Sequence, residues 1–256
     1  MFKSLASIAR FTVIEAVRTR LLWMAAGLLL AVALTAEFAA ALALTDSQGY
    51  RLGVYAALSR LSLVFVIALF VSTSVVRELQ DRLLDLTLSR PVPRVSWYLG
   101  RLAGFAAAAT ALAVLAVIPL MFYAPAGATL AWGASLAAEL WIVAAACLTC
   151  VITLGQVTFA LIVVAAFYVL SRAMSAIVLM SSGPAVDPTV WSSAAIEKLV
   201  ELVALLLPSL DRFTQASWLT QPTAEPLPLG DIALQTIIYS MVLIGVGLFD
   251  FYRREY

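Results

Sequence analysis

Few residues in this chain are equipped for chemistry, and most of those are charged groups in costly places. Histidine is absent, which removes imidazole acid–base catalysis, serine–histidine hydrolysis and most zinc sites. Cys147 and Cys150 form a C-x-x-C inside an apolar run. Two small residues packing within a helix is the ordinary reading, and a redox or soft-metal pair is the other. Glu37, Arg60, Glu139 and Arg172 also fall within apolar runs, where ionisable groups demand partners. The main concentration of charge is Val76–Gly104, VRELQDRLLDLTLSRPVPRVSWYLGRLAG, with five of the sixteen Lys and Arg residues and with Glu78, Asp81 and Asp85. A polar hairpin between two apolar runs faces water. It is suited to being gripped by something soluble; the plainer reading is a loop that sets topology.

The elements that must position these groups are membrane helices. Of 256 residues, 63% are hydrophobic and 12% charged, against about 25% charged in soluble domains. In lipid the backbone satisfies its own hydrogen bonds, so long apolar runs are helices. A window of about 20 residues predicts six spans: Leu21–Leu44, Val54–Val76, Tyr98–Tyr123, Leu130–Thr153, Val157–Met180 and Ile232–Asp250. The fourth and fifth merge except at Gly155 and Gln156, which are expected to form a tight turn. The Leu21–Leu44 run is too long, and begins too late, for a cleavable signal with an apolar core of about 7–15 residues; a retained first span is expected. Eleven Lys and Arg residues fall on one side of this arrangement and three on the other, which predicts both termini and the charged hairpin in the cytoplasm. The net charge of +1 gives no sign of a nucleic-acid partner, and none is expected.

Three further elements are predicted. Residues 1–19 read as a basic amphipathic helix, with Phe2, Leu5, Ile8, Ala9, Thr12, Ala16 and Val17 on one face and Lys3, Ser7, Arg10 and Arg18 opposite. Phe11 and Ile14 break that pattern. The helix would lie in the membrane interface or pack on the protein's own spans. Ser181–Asp231 is the long external loop, with six of the ten prolines and an apolar-rich helix near Ala194–Leu207 stopped by Pro208. That helix is too short and interrupted to cross, which fits a re-entrant or interfacial cap. Within the charged hairpin, Leu79, Leu83 and Leu86 recur at i, i+4 and i+7, a short amphipathic helix ended by Pro91 and Pro93. Trp97 and Tyr98 are expected at headgroup depth.

Depth along the helices pairs the intramembrane charges. At about 1.5 Å per residue, Glu37 and Arg60 reach similar heights toward the outer leaflet, as do Glu139 and Arg172 on the fourth and fifth spans. The pairs Glu37–Arg60 and Glu139–Arg172 follow, either fixing packing or lining a substrate path. Gly100, Gly104 and Ala108 form a small-residue stripe that permits close helix approach, within the subunit or at a dimer seam.

The order of residues in the hairpin is more specific than its composition. Glu78, a short acidic helix, Leu88-Ser89-Arg90-Pro91-Val92-Pro93-Arg94 and then Tyr98-Leu99-Gly100-Arg101 resemble the permease subunits of type-2 ABC exporters. Their loop after the second span follows a pattern like E-R-x-x-G-T-L-E-x-L-L-x-x-P-[IV]-S-R-x-x-x-x-x-G-[KR]. Glu78, Asp85, Leu88, Pro91, Val92, Arg94, Gly100 and Arg101 match; Arg82 and Leu83 stand where Gly-Thr is usual, and Pro93 where Ser is. Leu207-Pro208-Ser209-Leu210-Asp211-Arg212-Phe213 is similar to a run before the last span in permeases related to copper-enzyme-maturation exporters, with Ser209 in place of Asn.

The resemblance implies an all-α integral membrane protein forming a single permease domain over 1–256. It has six transmembrane helices, an N-terminal interfacial helix, a cytoplasmic coupling loop at 77–96 and an external re-entrant or interfacial helix between spans five and six. It implies a cell-membrane exporter subunit, paired with itself or a sister permease and driven by two copies of a separate ABC ATPase. Glu78, Asp81, Arg82, Leu83, Asp85, Leu86 and Pro91 would contact that ATPase, with Arg90 and Arg94 there or on anionic lipid. The chain carries no G-x-x-x-x-G-K-[ST] phosphate loop. No cofactor or metal is therefore expected on it; ATP and Mg²⁺ would be held by the partner, and hydrolysis would occur there. Cargo stays open among a lipid-like molecule, a glycan, a drug, a peptide and a small ion or sulfur species. The rival from another class is a gradient-driven transporter or channel using Glu37 and Glu139.

Overall fold

The structure is a computed structural model, and it describes residues 2–80, 93–181, 198, 200, 202–204, 206–220 and 228–253. Its regular elements are helical: α1 (Phe2–Arg18), α2 (Leu21–Leu42), α3 (Ser47–Gln80), α4 (Arg94–Leu120), α5 (Ala126–Leu154), α6 (Val157–Ser181), a 3₁₀ turn (Leu210–Arg212), α7 (Ser217–Thr220) and α8 (Leu229–Arg253). Six of them, α2 to α6 and α8, are long and apolar enough to cross a membrane.

Local chemistry sets the helix ends. Asp46 accepts the Gly49 N–H at 2.9 Å and opens α3, as an Asp side chain does at a helix start. The second span therefore begins at Ser47, not Val54. Pro93 and Pro125 immediately precede α4 and α5, where a missing N–H costs nothing. The expected turn between spans four and five is present: Gly155 closes α5 at φ 69°, a left-handed position that glycine takes without a Cβ clash. Arg20 makes a comparable bend between α1 and α2 at φ 57°.

The most buried of the six spans is α5. It is surrounded by α3, α4, α6 and α8, while α2 lies outside against α3. Small residues let these helices approach. A Cβ at Gly247 of α8 would overlap Tyr98 Oη of α4 and meet Thr149 Oγ1 of α5 at 2.9 Å. Tyr98 and Thr149 are themselves hydrogen-bonded at 3.1 Å, and Thr149 donates to Leu243 O at 3.1 Å. Phe70 meets Phe105 edge-on at 5.7 Å.

The Gly100–Gly104 stripe receives α1. A Cβ on Gly100 would lie 2.8 Å from Ile8 Cβ, and one on Gly104 would overlap Thr12 Cβ. The stripe is thus used within the subunit, and α1 packs on the protein's own spans. Its buried face carries Thr12 and Ala16, whereas Phe11, Ile14 and Val17 are exposed beside Arg10 and Arg18. Val17 is therefore on the face opposite to the expected one. Gly104→Val is expected to lower stability by about 1–3 kcal/mol through overpacking. Gly27→Ala, with open space around its Cβ, should leave the detergent unfolding midpoint unchanged.

Trp97 and Tyr98, whose expected place is at headgroup depth, are covered by protein. Helix α8 stacks Phe251 on Trp97 at 5.3 Å, and the Tyr98 hydroxyl is used inside the bundle. Most of the coupling helix, and much of the external helix near Ala194–Leu207, lie outside the described residues. Val200 and Leu207 cluster with Met174 of α6.

Candidate functional site

Two polar centres organise the bundle. The first lies where α1, the end of α3 and the start of α4 converge, around Arg101, which is 7% exposed. Its guanidinium reaches Glu78 through Nε at 2.8 Å and through Nη2. Nη1 donates to Glu15 Oε2 at 2.7 Å and to Thr12 Oγ1 at 3.1 Å. Trp97 Nε1 donates to Glu78 Oε1 at 3.0 Å, and Ser74 Oγ donates to Glu15 Oε1 at 2.6 Å. A planar five-donor fork suits this arrangement better than an ammonium would. One cation holds two carboxylates on two helices, so α1, α3 and α4 are tied at a single point.

Two of the residues expected at the ATPase contact have partners within the chain. Glu78 is turned inward onto Arg101 and Trp97. Arg94 donates to Phe251 O at 3.2 Å and Tyr252 O at 3.5 Å, and lies 5.9 Å over the Phe251 ring. It satisfies carbonyls that the last turn of α8 cannot. Asp81, Arg82, Leu83, Asp85, Leu86, Arg90 and Pro91 lie outside the described residues. The residues missed from sequence were Glu15, Thr12 and Ser74. A signal existed for Glu15: it is the one acid of α1, three residues from Thr12 and thus on the face that packs.

The second centre is in the middle of the bundle. Glu139 of α5 is fully buried. Its Oε1 accepts from Tyr168 at 2.8 Å and lies 3.5 Å from Arg172 Nη1; its Oε2 accepts from Thr214 Oγ1 at 2.6 Å. Arg172 Nη1 also donates to Leu210 O at 2.6 Å and reaches Phe213 O at 3.4 Å. The Leu207–Phe213 run singled out by its resemblance is therefore gripped through its backbone.

Thr214 closes that grip. It sits at φ 45°, unfavourable for a β-branched residue. Four hydrogen bonds hold it there: its N–H donates to Ser135 Oγ at 3.0 Å, its hydroxyl donates to Glu139 and accepts from Arg172 Nη1 at 3.5 Å, and its carbonyl accepts from Arg60 Nη1 at 3.4 Å.

Arg60 thus belongs to this centre, and the expected Glu37–Arg60 pair is not formed. Glu37 pairs with Arg51 at 2.8 Å, and Arg51 also lies 4.7 Å over the Tyr123 ring. The reason is register. With α3 starting at Ser47 instead of Val54, Arg60 lies about 10 Å deeper at 1.5 Å per residue, and Arg51 takes the level opposite Glu37. Glu139 and Arg172 are brought together, as their depths suggested.

Every carboxylate in the two centres is engaged by a cation or hydroxyl. Among the described residues no group of three or more Cys, Asp or Glu is placed to hold a metal, and Cys147 and Cys150 are free thiols on α5. What the first centre can do is transmit force between helices; what the second can do is strap an inter-span loop to α3, α5 and α6. No protein-family model matches the chain, and no curated protein matches it at a significant level.

Proposed function

We propose that the chain is the permease subunit of a type-2 ABC exporter, working as a pair of permeases in a cell membrane and driven by two copies of a separate ATPase. Both termini and the 81–92 loop face the cytoplasm in this reading. The observation that carries it is the contact between the first and last matched residues of the loop motif, Glu78 and Arg101. The loop leaves and re-enters the bundle through one buried ion pair that also holds Glu15 of α1. A push on such a loop is delivered to three helices at once, which is what a lever between ATPase and membrane requires.

A gradient-driven transporter needs a carboxylate free to exchange its partner. Glu139 accepts on both oxygens and Glu37 is paired, which favours the ATP-driven reading.

Purification from membranes should yield a nucleotide-binding subunit in equal stoichiometry, and vesicle transport should require ATP. Leu83→Asp with Leu86→Asp should strip that subunit while the unfolding midpoint stays put. Transport by the chain alone, without nucleotide, would overturn the proposal.

A further inference from the structure

The clasp at Arg101 borders an open cavity. Between α1, α3 and α4 lies a chamber of about 840 Å³ whose polar wall is Glu15, Arg18, Ser74, Arg77, Glu78 and Arg101. Glu15, Thr19, Ser74 and Arg77 are also walls of a second hollow of about 250 Å³, running between α2 and α3 over Met24, Val66, Leu69 and Phe70. The shared walls place the two side by side. One end is polar and lies where the charges of α1, α3 and α4 gather; the other is an apolar slot on the flank of two membrane-crossing helices.

The charge distribution selects an occupant. Glu15 and Glu78 are both spent on Arg101. Arg18 and Arg77 are exposed and form no ion pair among the described residues. With Arg101, Arg18 and Arg77 against Glu15 and Glu78, the wall carries three positive and two negative groups, a surplus of one positive charge. Phe11 and Ile14 of α1 add an apolar rim to the same chamber. The occupant must therefore be anionic at one end and apolar at the other. Val66 to Arg77 covers about 16 Å of helix at 1.5 Å per residue, enough to seat much of an acyl chain.

We infer that this chamber and slot form a binding site for an anionic phospholipid. Its headgroup phosphate sits between Arg18 and Arg77, and an acyl chain lies in the slot between α2 and α3. Such a lipid bridges α1, α2 and α3 and completes the attachment that Arg101 begins. The inference does not depend on the exporter reading, because it concerns the protein's hold on the bilayer and not its cargo.

The test is native mass spectrometry of the full, delipidated chain titrated with phosphatidylglycerol, phosphatidylcholine or sn-glycerol 3-phosphate. One phosphatidylglycerol should bind saturably, and the other two much more weakly. Arg18→Gln with Arg77→Gln should weaken that binding about thirtyfold, the loss expected for two surface arginines facing an anionic lipid. Arg18→Lys with Arg77→Lys should retain most of it. Leu69→Trp fills the slot without altering charge and should also weaken it. Equal binding of phosphatidylcholine, which marks unselective annular lipid, would overturn the inference. So would equal binding of glycerol phosphate, or phosphatidylglycerol binding that neither the Gln pair nor Leu69→Trp changes.

Discussion

Arg101→Gln is expected to destabilise the protein by about 3–5 kcal/mol, the range for removing one partner of a buried ion pair. The loss arises from what is left behind more than from what is removed. Glu78 and Glu15 now share Arg101; without it, two carboxylates face one another at the edge of the chamber with no cation between them. Trp97 and Ser74 each supply one hydrogen bond and cannot neutralise them. Helix α1 loses its ion pair to α4 while keeping its apolar face, so it should detach before the spans unfold. Limited proteolysis should release residues 1–19 at denaturant concentrations where the remainder stays protected. Arg101→Lys retains charge but cannot reach two carboxylates and Thr12 in one plane, and should fall between. Arg101→Gln with Glu78→Gln and Glu15→Gln removes the stranded charge and should recover part of the loss; the difference measures coupling. An unchanged midpoint for Arg101→Gln would remove the clasp from any account of force transmission.

The parts of this architecture legible in sequence are those written in apolar run length. Six spans, and the Gly155 turn between the fourth and fifth, follow from hydropathy and from one glycine where no continuous helix would fit. Helix ends were less legible, because Ser47–Gly53 is polar enough to read as loop while Asp46 caps it as helix. That single offset misplaced Arg60 and with it the partner of Glu37. Burial of Trp97 and Tyr98 was hidden for a different reason: a tertiary partner, α8 with Phe251, occupies the site where aromatic residues next to a span ordinarily meet headgroups. The pattern-breaking Phe11 and Ile14 of α1 were a true signal. They lie with Arg10 and Arg18 on the outward face, because the inward face is selected by fit to Gly100 and Gly104 and not by hydrophobicity. Thr214 carried no local signal at all. Its left-handed backbone is imposed by Ser135 and Glu139, more than seventy residues away in the chain.

That imposed conformation makes Glu139 the second position of large effect. Glu139→Ala should cost about 3–5 kcal/mol, since it leaves the Arg172 guanidinium without its carboxylate in the interior and the Thr214 and Tyr168 hydroxyls without an acceptor. Glu139→Gln is the more informative change. Its amide oxygen can serve only one of the two hydroxyl donors, and its NH₂ group is presented to the other. A buried donor then goes unsatisfied, at a cost of about 1–3 kcal/mol. The consequence should be local first. Thr214 loses its bond to Glu139, one of the four holding it at φ 45°, and the backbone relaxes toward the right-handed or extended regions it prefers. Leu210 O and Phe213 O should then move away from Arg172, freeing the segment from Leu207 to Thr220. Arg212 is exposed on that segment and serves as the reporter: trypsin should cut after it faster in Glu139→Gln, while the spans remain intact. Thr214→Gly separates strain from bonding, because glycine accepts the left-handed backbone yet removes the hydroxyl. If bonding to Glu139 dominates, Thr214→Gly should expose Arg212 as Glu139→Gln does, and Thr214→Ser should protect it. Protection by Thr214→Gly would mean that backbone conformation alone seats the loop, and Glu139 would then be a packing residue of α5 with no part in holding it.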